Sequence, residues 1–122
     1  MATFTKGFAR QARLLTSAEF NEVFNAAEGR SADERFAVLA RRNQYEKARL
    51  GLAISKKRLR RAVDRNRVKR LVRESFREHQ DRLAGLDIVV INRDGLENRS
   101  NSELMLSLAG HWDNLVKRCK QS

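Results

Sequence analysis

Between residues 17 and 27 the apolar positions Phe20, Val23, Phe24 and Ala27 recur at three- and four-residue spacing, the period of a helix with one buried stripe. Thr16 or Ser17 offers an N-cap oxygen, and Gly29 stands just past the end. The period then changes to two. Residues 35–41 and 49–55 predict two strands joined by the polar stretch Asn43-Gln44-Tyr45-Glu46-Lys47, and strands so close in sequence are expected to pair as an antiparallel hairpin. In the second strand bulky Leu50, Leu52 and Ile54 alternate with small Gly51, Ala53 and Ser55. One face would pack a core while the other leaves room for a ligand to approach the backbone, the first hint of a groove.

Helical spacing returns over residues 59–83, where Val68, Leu71, Val72, Phe76 and His79 form the apolar stripe and Gly85 supplies a stop. The unbroken run Ile88-Val89-Val90-Ile91, within residues 87–92, suits a strand covered on both faces. Arg93-Asp94-Gly95 turns the chain, Ser100 and Glu103 have capping-box spacing, and Leu104, Leu108, Trp112, Leu115 and Cys119 mark the inner stripe of a last helix. The order is α-β-β-α-β-α, with room for one more short strand near Gly29. This predicts an α+β fold, a two-layer α/β sandwich with a small mixed sheet. No repeat, low-complexity stretch or long linker interrupts the 122 residues, so a single domain over residues 1–122 is expected, with residues 1–12 as a flexible N-terminal segment.

Charge narrows the class of partner. The chain carries 26 Lys+Arg against 15 Asp+Glu, a formal net charge of +11, with 41% hydrophobic and 34% charged residues. Residues 56–82 alone hold twelve bases and four acids, +8 of that total. No apolar run approaches the ~18 residues of a membrane span and the N-terminus has no apolar signal core, so no membrane partner is expected and the cytoplasm is the expected location. Cys119 stands alone and frames neither a disulfide nor a zinc site; it reads as a small apolar residue of its helix.

On a helix advancing ~100° per residue, Arg65, Asn66, Lys69, Arg70, Arg73 and Arg77 fall within an arc of roughly 140° beside the apolar stripe. Glu74, Glu78 and Asp81 fall outside it. Arg65/Lys69, Lys69/Arg73 and Arg73/Arg77 are successive like-charge pairs four residues apart, each costing an isolated helix a few tenths of a kcal/mol. A solvated face would alternate its signs. The pattern makes physical sense against a polyanion, whose phosphates supply the missing charge and whose released counterions favour binding. Asn66 both donates and accepts, which suits a 2′-hydroxyl, a base edge or a phosphate.

The stretch from Leu59 through Asp64-Arg65-Asn66-Arg67-Val68-Lys69-Arg70 to Arg73 resembles the signature of the bacterial ribonuclease P protein component, whose arginine-asparagine-arginine motif leads a basic helix. The likeness continues in Arg13-Leu14 ahead of Phe20 and Phe24, in Gly51-Leu52 leading to Ser55-Lys56-Lys57, and in the apolar strand from Ile88 to Ile91. Arg58-Leu59-Arg60-Arg61 departs from the glycine-containing turn of many members and leaves the helix start open.

The resemblance implies a left-handed strand-helix-strand crossover and two RNA partners, ribonuclease P RNA and precursor tRNA. It implies that the RNA, with Mg²⁺ used by the complex, hydrolyses the phosphodiester that joins the 5′ leader to tRNA, while the protein binds and aligns. It assigns contact with the catalytic RNA to Arg65, Asn66, Arg67, Lys69, Arg70 and Arg73. The leader then falls to a cleft formed by Phe20, Phe24, Leu39, Ala53, Ser55, Lys56 and Lys57, with Phe20 and Phe24 partly exposed for stacking.

The residues themselves supply no competing chemistry: no paired-His metal spacing, no glycine-rich phosphate loop and no Asp/Glu cluster of a two-metal nuclease. No catalytic residue, bound metal or cofactor is therefore expected in the protein, and His79 and His111 read as structural or surface residues. A ribosome-associated or other structural RNA-binding protein is the alternative. A DNA-reading factor is not expected, because no short helix-turn-helix spacing is visible and the helix is too evenly basic for base reading.

Overall fold

The computed structural model describes residues 16–120; the proposed N-terminal segment and Arg13-Leu14 lie outside them. Helix α1 (Ser17–Asn25) is followed by strands β1 (Gly29–Ala32), β2 (Phe36–Arg42) and β3 (Arg49–Ala53), helix α2 (Ala62–Glu78), strand β4 (Leu86–Asn92), a 3-10 turn (Leu96–Asn98) and helix α3 (Asn101–Lys120). The four strands form one mixed sheet in the order β1-β2-β4-β3, with β1, β2 and β4 antiparallel in succession and β3 parallel to β4.

The expected β2–β3 hairpin does not form, because β4 lies between the two strands. The run from Ile88 to Val90 is fully buried. A strand apolar on both faces costs least in the middle of a sheet, and β3 and β4 are then joined by the crossover that a parallel pair requires. The extra strand near Gly29 is present as β1, so Gly29 opens a strand instead of closing the helix. It also allows close packing: a Cβ built on it would stand 2.6 Å from the buried Cys119 Sγ on α3.

Thr16 is the N-cap of α1, with the full capping box: the Glu19 backbone N–H donates to Thr16 Oγ1 and the Thr16 N–H to the Glu19 carboxylate. At α3 only half of that device forms. Ser100 Oγ accepts from the Glu103 N–H, but the Glu103 carboxylate turns to Arg35, 2.8 Å away, and to Arg99. Helix α2 is shorter than residues 59–83, and residues 79–84 form turns that lead to Gly85 at φ +85°.

The main core is the two-layer contact of the sheet with α2 and α3. Phe36, Val38, Leu50, Ile88 and Val90 point from the sheet toward Val68, Val72, Phe76, Leu108 and Trp112, all fully buried. Each such side chain contributes ~1.5–3 kcal/mol by leaving water. Phe76 meets Trp112 edge to face with ring centroids 6.2 Å apart, and Trp112 Nε1 donates to the buried Ser75 Oγ at 2.8 Å. Helix α1 lies on the opposite face of the sheet, where Val23 packs on Leu39 and Val89.

Candidate nucleic-acid interface

Because side chains alternate along a strand, the α1 face of the sheet consists of three rows that cross β2, β4 and β3 in register. They are Arg41-Asp87-Arg49, Leu39-Val89-Gly51 and Ala37-Ile91-Ala53. Helix α1 sits over the middle row. Val23 and Leu39 are buried there, at 0% and 8% exposure. Glu19 and Glu22 lie on one flank of the helix and reach the first row: Glu19 Oε2 is 2.5 Å from Arg49 Nη1, and Glu22 is 4.0 Å from Arg41. Phe20 and Phe24 lie on the other flank.

The two flanks differ chemically. On the Glu19 side Asp87 holds Arg49 through two bonds of 2.8 and 2.7 Å, so its guanidinium is matched by two carboxylates. These partners, the Asp87 hydrogen bond foremost, raise the Arg49 pKa further above its usual range. The charge on that flank is already satisfied inside the protein. On the Phe20 side the rings of Phe20 and Phe24 lie 5.1 Å apart and tilted by 36°, Phe20 half-buried and Phe24 40% exposed. Opposite them Ala37, Ile91 and Ala53 are all only partly buried. An aromatic wall and an apolar floor of two alanines and Ile91 therefore border an open cleft, a form that suits the flat faces of bases.

Of the expected cleft residues, the structure brings Phe20, Phe24 and Ala53 to this opening. Leu39 does not line it: it lies one row away, beneath α1, and β4 separates it from β3. Ile91 and Ala37 occupy the place expected for it. Sequence periodicity missed both, since the floor exists only once β4 stands between β2 and β3. Ser55 lies past the end of β3, where its N–H donates to Asn92 Oδ1 at 2.7 Å and its Oγ accepts from the Lys57 N–H at 3.1 Å. This turn presents Lys56 and Lys57 to solvent at the mouth of the cleft, and Arg93 is exposed at the end of the adjacent β4.

The same turn leads into α2. Arg61 occupies the N-cap position without a side-chain cap. Arg65 reaches back instead, its Nη1 donating to the Leu59 and Arg60 carbonyls at 3.0 and 2.7 Å. On the outer face of α2, Asn66, Arg70 and Arg77 are exposed and Lys69 and Arg73 half-buried. Glu74, 4.0 Å from Arg70, is a loose partner at the edge of the arc. Arg67 does not share the arc. At 100° per residue it points away, and its Nη1 and Nη2 donate to Asn101 Oδ1 at 2.5 Å and the Leu96 carbonyl at 2.9 Å.

Neither histidine lies on this surface. His79 Nδ1 donates to the Ser75 carbonyl at 2.8 Å. His111, 3% exposed, joins Ser31 Oγ at 2.7 Å and Asp33 Oδ1 at 3.3 Å between β1 and α3. Among the described residues no three His, Cys, Asp or Glu side chains converge where a metal ion could be held. No helix among them is long and apolar enough to cross a membrane.

Residues 8–116 match the family model described as Ribonuclease P. The chain belongs to the ribonuclease P protein family. It is 47% identical to the ribonuclease P protein component of Pseudoalteromonas atlantica over 94% of this chain and 95% of that protein. The component from Nitrosococcus oceani is also 47% identical, over 95% and 97% of the two chains. Among solved structures, the fold resembles the ribonuclease P protein of Thermotoga maritima with TM-score 0.70 and 33% identity over 88% of this chain and 97% of that one. For the Staphylococcus aureus protein the TM-score is 0.75 at 29% identity, covering 83% and 92%.

Proposed function

We propose that this chain is the protein subunit of ribonuclease P: it binds the catalytic RNA through the outer face of α2 and the 5′ leader of precursor tRNA through the α1 cleft. The observation that carries this reading is the adjacency of the two surfaces. The aromatic cleft opens at the end of the sheet where β3 runs out, and the turn of residues 55–61 joins that opening directly to the basic helix. A single strand lying on Phe20 and Phe24 would meet Lys56 and Lys57 at the mouth, with the phosphates of a folded RNA held beside it by Asn66, Lys69, Arg70 and Arg73.

In this reading the RNA holds Mg²⁺ and carries out phosphodiester hydrolysis, leaving a 5′-phosphate on the tRNA, while the protein supplies affinity and alignment. Alignment is a real contribution to rate, because a held substrate avoids the entropy cost of reaching the reactive geometry. The complex would act in the cytoplasm.

The test is reconstitution. Purified protein added to ribonuclease P RNA and precursor tRNA at low Mg²⁺ should restore leader removal, and RNA-free protein should cleave nothing. Failure to stimulate, or cleavage by the protein alone, would refute the assignment.

A further inference from the structure

The two arginines flanking Asn66 both hydrogen-bond back to the protein, Arg65 through Nη1 and Arg67 through Nη1 and Nη2. Arg65 Nη1 donates to the Leu59 and Arg60 carbonyls, tying the first turns of α2 to the basic turn before it. Arg67 forks, with Nη1 on Asn101 Oδ1 and Nη2 on the Leu96 carbonyl, and ties α2 to the 3-10 turn and the start of α3. The basic turn is braced at its other end too: Ser55 N–H is held by Asn92, Leu59 N–H by the Ser55 carbonyl at 3.1 Å, and Arg58 lies 3.5 Å from Asp94. Leu59 itself is 1% exposed.

We infer that Arg65 and Arg67 are positioning residues, a two-sided clamp that fixes Asn66, Lys69 and Arg70 relative to Lys56 and Lys57. This rests on the RNA-binding reading above and divides its basic residues into two kinds. In sequence each arginine reads as a charge; the geometry makes each act by its shape. The physical need is plain. Helix α2 has no side-chain N-cap, and the unbonded backbone donors of its first turn leave it prone to fray. A frayed first turn would loosen the helix just ahead of Asn66, and each orientation this allows would have to be frozen out on binding.

Charge-conserving substitution separates clamp from contact. A lysine keeps the positive charge, but its ammonium stops one atom short of the guanidinium nitrogens and has no planar fork. Binding of the full-length protein to ribonuclease P RNA is measured as a function of salt, with thermal melting on the same samples. Arg65→Lys and Arg67→Lys should each weaken binding by about tenfold while leaving the slope of log K against log salt unchanged. Arg70→Lys should bind nearly as the parent does. Arg70→Ala should lower both affinity and slope, the slope by ~0.7–0.9.

Parental affinity in the two lysine variants would overturn the clamp and return these arginines to direct contact. An unaffected Arg70→Ala would instead strike at the RNA-binding reading itself. If a lysine variant melts below the assay temperature, Asn101→Ala decides, since it releases half of the Arg67 fork without altering any arginine. Weaker binding at unchanged slope supports the clamp; equal or tighter binding, as from an arginine freed to reach phosphate, overturns it.

Discussion

Phe24 shows how little of a side chain's surroundings is written in its residue type. At an i,i+4 spacing from Phe20 it reads as core, yet it is 40% exposed, with the half-buried Phe20 ring 5.1 Å away. Helix α1 rests on Val23, and the two rings hang over its edge. Removing the Phe24 ring should therefore cost the fold far less than the ~3–5 kcal/mol of a core Phe→Ala change. If the leader stacks there, Phe24→Ala should weaken binding of precursor tRNA to the reconstituted complex by up to ~1–3 kcal/mol and leave mature tRNA nearly untouched. Parallel titrations with the two tRNAs measure this, and equal losses for both would remove the leader from the cleft.

At the scale of elements, β1 is joined to α3 by a close approach and a polar knot. Gly29 faces Cys119, and Gly29→Ala places a methyl 2.6 Å from the thiol sulfur. Overpacking of this kind should destabilise by ~1–3 kcal/mol. Cys119→Ala should relieve it, so a double-mutant cycle by urea unfolding should show a favourable coupling between the two sites. In the turn between β1 and β2, burial alone would raise the Asp33 carboxyl. Hydrogen bonds from Ser107 Oγ at 2.6 Å and from the backbone N–H groups of Phe36 and Arg35 at 2.9 and 2.8 Å outweigh it and hold the group far below the usual carboxylate range.

A depressed folded pKa stabilises above the unfolded value of ~3.9, and this stabilisation is lost as pH falls through the folded pKa. Asp33→Asn should accordingly be less stable than the parent at pH 7, with the gap narrowing below about pH 4. Urea midpoints at several pH values measure it; a gap that widens on acidification would contradict the assignment.

For the whole molecule, the net charge of +11 is an instrument of association rather than of folding. The fold pairs several of its basic groups with carboxylates, as at Arg35 and Arg49, while residues 56–82, which span α2 and the turn before it, keep twelve bases against four acids. Salt should thus weaken RNA binding steeply while changing stability little. Replacing Lys69 and Arg70 together by Ala should lower the slope of log K against log salt by ~0.7–0.9 for each RNA phosphate that the protein no longer neutralises. An unchanged slope would mean that this face carries solvent and not RNA.

The sequence by itself determined the elements, the class of fold and the character of the partner. Helical and two-residue periods depend on near neighbours, and a basic arc on one helix needs only the 100° advance per residue to be seen. The family signature, from Leu59 to Arg73, is local in the same sense. Tertiary structure decided which strands are neighbours. The burial of Ile88 to Val90 draws β4 between β2 and β3, and only then do Ala37, Ile91 and Ala53 become one floor and Leu39 a residue beneath α1. It also decided which arginines face the solvent. Arg65, Arg67 and Arg70 are alike in composition, but the carbonyls of Leu59, Arg60 and Leu96 claim the first two. A backbone carbonyl brought within reach of a guanidinium by packing leaves no mark in the sequence.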